Sequence, residues 1–182
     1  MELGKFPCIA WKITNKSKDS LLDYFLKIRP SEHWLLLGFH AAQSDSQLWT
    51  SWHCSQRRFQ RNNSLARSMD AEFIRYLAGT HHVSEAFQRA GLGSDDEQGW
   101  LVYLPACEEF SDGIVKPEND YLKNFDHKST ELFNLLDLEA LDDIPKLNLK
   151  NAQKLGFQSE ETKLEDLENA LIGFVLSSEF HS

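Results

Sequence analysis

Two rhythms of apolar and polar positions run along the chain. Short, nearly continuous apolar runs alternate with longer stretches spaced at three and four residues. Cys8–Ile13 sets Ile9, Trp11 and Ile13 on one side and predicts a short strand. Ser17–Ile28 repeats Leu21, Leu22, Phe25 and Ile28 at helical spacing, and Arg29-Pro30 ends it. His33–His40, centred on Trp34-Leu35-Leu36-Leu37-Gly38-Phe39, is too short for a helix and predicts a buried strand.

Three helices are then predicted in close succession. The first starts at Asp45 or Ser46, buries Leu48, Trp52 and Phe59, and crowds Arg57, Arg58 and Arg61 into its last turns, where cations favour the helix dipole. The second starts at Ser68, carries Phe73, Tyr76 and Leu77, and stops at Gly79. The third begins at Thr80 or His81, buries Val83, Ala86, Phe87 and Ala90, and stops at Gly91. Trp100–Leu104 predicts a second buried strand, closed by Pro105. Pro105–Thr130 is acidic and turn-rich, a long loop of the kind that is commonly functional. Glu131–Leu138 and Lys150–Leu155 predict short helices. Thr162–Ser178 predicts a long one, with Leu164, Leu167, Leu171, Phe174 and Val175 as its apolar stripe. Few strands and many helices define an α+β fold. The expected arrangement is a single helix-rich domain over residues 1–182 with a small, mainly antiparallel sheet.

Composition changes this picture little. At 182 residues, 41% apolar and 26% charged, the chain has the makings of one globular core. The longest apolar runs are too short to span a bilayer, and the first residues lack the apolar stretch of a signal peptide. The expected location is cytoplasmic. Cys8, Cys54 and Cys107 match no zinc spacing and read as reduced structural thiols.

Charge changes it more. The net charge of −9 argues against bulk nucleic-acid binding, but the halves differ. Residues 1–91 carry 12 Lys and Arg against 8 Asp and Glu, whereas residues 92–182 carry 7 against 20. Six of the seven arginines fall between Arg57 and Arg89. Screening confines each patch to about 8 Å at physiological salt. A local basic patch is therefore compatible with an acidic remainder.

The chemistry of catalysis is sparse. There is no nucleophile elbow, Walker loop, dinucleotide-binding glycine set or H-E-x-x-H motif. His81, His82 and Glu85 offer the best metal candidate, since His81 and Glu85 lie one helical turn apart. Nothing nearby in sequence completes that shell. The acidic pairs Glu108-Glu109 and Asp142-Asp143 read as solvated surface. The chain is not expected to be an enzyme, and no cofactor is expected.

The stretch Ser64–Gly91 combines an Ala66-Arg67-Ser68 lead-in, a helix with Glu72 and Leu77, a Gly79-x-x-x-Val83 turn and Ser84-Glu85-Ala86 before a Gly-ended helix. The strand Trp100–Leu104 follows it. This order resembles the small kinase-binding subunit of the KEOPS (EKC) tRNA-modification complex. The resemblance covers residues 64–105 and, more loosely, 146–178, where Leu167-Glu168-Asn169-Ala170-Leu171-Ile172 opens the long helix. It implies a non-catalytic protein that docks on the complex's atypical kinase/ATPase subunit. It further implies capture of the 3′ CCA end of tRNA for threonylcarbamoylation of the adenosine beside the anticodon. The family commonly carries Arg or Gln with Gln or Asn where His81 and His82 stand. The residues expected to hold RNA are Arg57, Arg58, Arg61, Arg67, Thr80, His81 and His82. The arginines suit phosphates, while a helix start with adjacent histidines suits terminal nucleotides. Two alternatives are a small metal-dependent hydrolase using His81, His82 and Glu85, and a purely structural partner-binding protein.

Overall fold

The computed structural model describes residues 4–15 and 20–180. In chain order the elements are β1 (Cys8–Ile13), α1 (Leu21–Ile28), β2 (Trp34–Gly38), α2 (Asp45–Gln60), α3 (Met69–Leu77), α4 (Val83–Ala90), β3 (Gln98–Tyr103), β4 (Cys107–Ser111), β5 (Ile114–Pro117), α5 (Tyr121–Leu136), β6 (Leu138–Leu141), α6 (Leu149–Lys154) and α7 (Leu164–Ser177). This is a mixed α+β fold with several helices around a small antiparallel sheet, as the pattern of elements predicts.

The main sheet has the order β2-β3-β1-β6. Every neighbouring pair is antiparallel, with Leu36 opposite Leu101, Ala10 opposite Trp100, and Trp11 opposite Ala140. Both faces are covered, which explains why β2 and β3 read as nearly continuous apolar runs rather than alternating ones. Ala10, Leu35, Leu37, Trp100 and Val102 point into a core shared with α2, α3 and α4. Trp11, Trp34, Leu36 and Leu101 point the other way, onto Phe25 of α1 and Phe125, Leu132, Phe133 and Leu136 of α5.

A third layer of contacts covers α2 and α3. Val175 of α7 packs with Cys54 of α2 and Tyr76 of α3. Ala152 of α6 joins Leu167 and Leu171 of α7. Gly79, between α3 and α4, has φ +59°, and a Cβ there would sit 2.3 Å from the Phe174 ring of α7. Only glycine turns the chain this way while letting α7 approach so closely.

Several expected boundaries move. Ser44, not Asp45 or Ser46, caps α2, accepting from the Gln47 N–H at 3.1 Å. The third helix starts at Val83, because Thr80 and His81 belong to the connection from α3 and His82, still extended, is the N-cap. The Ser17–Asp19 part of the first expected helix lies outside the described residues, and Ser20 caps what remains. Leu164 is 64% exposed and does not belong to the apolar stripe of α7.

The largest correction concerns residues 105–130. They are not a long loop: β4 and β5 form a hairpin, and α5 begins at Tyr121. The hairpin turns at Asp112 and Gly113, with φ 51° and 79°. Those positive angles at both central residues are what an Asp-Gly hairpin turn requires. The expected short helix over Glu131–Leu138 is the second half of α5. Asp137, left-handed at φ 52°, ends it and leads directly into β6, a strand absent from the sequence expectation.

Candidate nucleic-acid interface

α2, α3 and α7 end near one another, and Arg57, Arg58 and His81 lie at or beside those ends. Arg57 and Arg58 stand at adjacent positions in the last turn of α2. Both reach Glu179, in the turn after α7. Arg57 Nη2 lies 3.4 Å from Glu179 Oε1, and Arg58 Nη2 lies 3.1 Å from Oε2. Arg58 Nε donates to the Tyr76 hydroxyl at 2.6 Å, tying α2 to α3. Burial works against the Arg58 charge, but Tyr76 and Glu179 more than offset it and hold its pKa above the ordinary value. Burial, followed by the Glu179 carboxylate, raises the Tyr76 phenol.

His81 joins the same seam from the α3–α4 turn, its Nε2 lying 2.8 Å from the Ser178 carbonyl. The segment Ser178-Glu179 therefore touches Arg57, Arg58 and His81 together. These three of the seven expected residues converge.

The other four do not converge in this way. Arg61 is exposed and turns toward the hairpin, its guanidinium 5.8 Å from the Phe110 ring centroid. Arg67 is exposed in the lead-in to α3. Thr80 is 7% exposed, and its hydroxyl donates to the Glu85 carboxylate. The same hydroxyl accepts the His82 N–H at 3.2 Å. His82 is the exposed N-cap residue of α4, with no capping bond from its side chain. The positive end of α4 already has a carboxylate beside it. Glu85 also pairs with Arg89 at 2.6 Å, and its pKa is lowered by the Thr80 hydrogen bond and by Arg89.

This geometry dismantles the metal reading of His81, His82 and Glu85. Glu85 is bound to Thr80 and Arg89, and the His81 ring faces a carbonyl. Among the described residues no three His, Cys, Asp or Glu side chains gather where they would hold a metal ion. His33 and His40 bond to distant carbonyls, of Leu104 and Arg89, and His53 lies edge-on to Trp52. None of these three is turned to complete that shell.

Glu72 and Arg75 are the residues that sequence reasoning missed. Both side chains are fully buried, and Arg75 Nη2 lies 2.7 Å from Glu72 Oε1. Glu72 Oε2 accepts the Leu65 and Ala66 N–H groups at 3.1 and 2.7 Å, while Arg75 Nη1 donates to the Thr80 carbonyl at 2.8 Å. The pair thus fastens both the lead-in turn and the α3–α4 turn to one helix. The signal lay in the sequence. α3 has apolar residues on every side, so an acid and a base three positions apart within it have no solvent face and must pair.

Searches against protein-family models and curated proteins return no match to this chain.

Proposed function

We propose that this chain is the non-catalytic subunit of a KEOPS complex that docks on the kinase/ATPase subunit and recruits tRNA by its 3′ end. The observation that carries the reading is the meeting of Arg57, Arg58 and His81 where α2, α3 and α7 end. Two of these are permanent cations with planar donor arrays suited to phosphate. The third is a ring able to stack on, or donate to, an unpaired nucleotide. The same neighbourhood carries the motif order that resembles the KEOPS subunit.

The charge distribution supports it as well. α5, which carries Asp126 and Glu131, packs on the sheet face opposite α2–α4, and Glu139 lies on β6, the edge strand of that sheet beyond β1. The acids at the start of α7, Glu165 and Asp166, lie at the far end of that helix from Glu179. Fourteen residues of helix are about 21 Å, well beyond the screening length of about 8 Å. The basic rim is therefore not cancelled by most of the acidic second half.

Reconstitution tests this. Mixed with the KEOPS kinase subunit and tRNA, the chain is expected to co-elute with both on size exclusion at micromolar concentration. The kinase interface is expected to be of standard size, on the order of 1,600 Å². Co-elution with the kinase but never with tRNA would leave a purely structural partner-binding protein. Separate elution from both contradicts the reading.

A further inference from the structure

Among the described residues Glu179 is the one carboxylate that reaches both arginines of the seam, and it holds them as a phosphate would. Its two oxygens are divided, Oε1 toward Arg57 and Oε2 toward Arg58, at 3.4 and 3.1 Å. Each arginine is engaged through a single Nη2 atom rather than as a fork. The Arg57 side chain is 34% exposed and that of Glu179 is 24% exposed. The Arg57 arm, longer and more open than the Arg58 arm, whose arginine side chain is 17% exposed, is the weaker of the two and opens first. Among the described residues the contact also leaves donors unused, because Arg57 Nε and the Ser178 hydroxyl are buried there without a hydrogen-bond partner. A phosphate group, with more acceptor oxygens than a carboxylate, would use more of this donor set.

We infer that the turn Ser178–Phe180 is an autoinhibitory latch, in which Glu179 occupies the phosphate position of the Arg57–Arg58 pair and is displaced when the RNA backbone binds. This rests on the RNA-binding reading above. Releasing Glu179 also loosens the turn that holds His81 through the Ser178 carbonyl. Phosphate arrival and the freeing of the His81 ring for a nucleotide are thereby linked. The latch sets a threshold: a weak, single-phosphate encounter fails to open it, whereas a backbone presenting several phosphates does. Because salt weakens the latch as well as the RNA contacts, the wild-type chain shows a blunted salt dependence.

The test is fluorescence anisotropy with CCA-ended tRNA over a range of salt, using wild type, Glu179→Gln and Glu179→Asp. Glu179→Gln removes the charge and keeps the shape. Glu179→Asp keeps the charge but is one methylene too short to span both arginines. The latch predicts that Glu179→Gln binds about five-fold or more tighter, with a salt slope steeper by roughly one unit. It predicts that Glu179→Asp gains part of that tightening, and that adding Arg58→Ala to Glu179→Gln removes the gain. If Glu179→Asp matches wild type while Glu179→Gln tightens, only net charge is at work and the latch is overturned. If wild type distinguishes tRNA with and without CCA but both Glu179 variants bind like wild type, the latch fails and the RNA reading stands. If neither wild type nor Glu179→Gln binds tRNA at low salt, the RNA reading fails and the latch with it.

Discussion

Glu72 and Arg75 show how much of the candidate interface depends on a pair that never meets solvent. Each side chain is fully buried, and together they accept from or donate to the backbone on both sides of α3. Removing one partner of such a pair strands a charge in the interior, at a cost of about 3–5 kcal/mol. Glu72→Gln is therefore expected to lower the urea unfolding free energy by about that amount, with the largest loss of amide protection around residues 64–68 and at Thr80. A loss below about 1 kcal/mol would mean that the pair is solvated in solution. The thiols give a second prediction at this scale. Burial, then Asp45, pushes Cys8 up to about 12, and burial pushes Cys54 up to about 11 against the opposing pull of Arg57. Burial also raises Cys107. All three thiols are therefore protonated at neutral pH, and the thiolate is the reactive form. Titration of the native protein with a thiol reagent near neutral pH is expected to run about ten-fold or more slower than in denaturant. A thiol reacting at the free-peptide rate contradicts this.

At the scale of elements, the α3–α4 turn and α7 are fitted to each other through Gly79 and Phe174. A left-handed angle at a non-glycine residue costs roughly 1–2 kcal/mol, and forcing a methyl into a packed contact typically adds 1–3 kcal/mol. Gly79→Ala is thus expected to destabilise by about 2–5 kcal/mol. Gly173, on the exposed side of the same α7, has nothing within 4 Å of a built Cβ. Gly173→Ala is expected to stabilise by about 0.5–1 kcal/mol through helix propensity alone. Thermal melts of the two variants should therefore shift in opposite directions; shifts of the same sign contradict the geometry. The strands β2 and β3 were legible in the sequence because, buried on both faces, they read as short apolar runs, and β1 was legible through Ile9, Trp11 and Ile13 on one side. Of α5 only the second half was, because its stripe includes Ser129, a small polar residue buried between Phe125 and Leu132, and the polar run Asp126–Thr130 hides the period of the first half. Ser129 and Thr130 satisfy their hydroxyls on the Asp126 carbonyl, so they sit in the helix without competing partners. The β4–β5 hairpin was missed although Asp112-Gly113 stands between Phe110 and Ile114-Val115, because its strands are only five and four residues long and carry Glu108, Glu109 and Lys116 among the apolar positions. The Arg57–Arg58–His81 meeting point was expected from helix ends, but Glu179, some 120 residues away, was invisible to any local pattern.

For the whole molecule, the question is whether an acidic chain grips RNA. No helix among the described residues is long and apolar enough to cross a membrane. The net charge of −9 opposes a polyanion at long range, whereas the basic rim acts only within the screening length. Binding should then depend on the rim and on unpaired nucleotides rather than on bulk charge, which distinguishes a tRNA end from duplex RNA. The measurement that tests this most directly is fluorescence anisotropy at one low salt concentration, comparing intact tRNA with the same tRNA lacking its CCA tail. A stacked base is worth about 1–3 kcal/mol. The account therefore predicts that the trimmed tRNA binds about ten-fold or more weakly. Equal affinity for the two would contradict it.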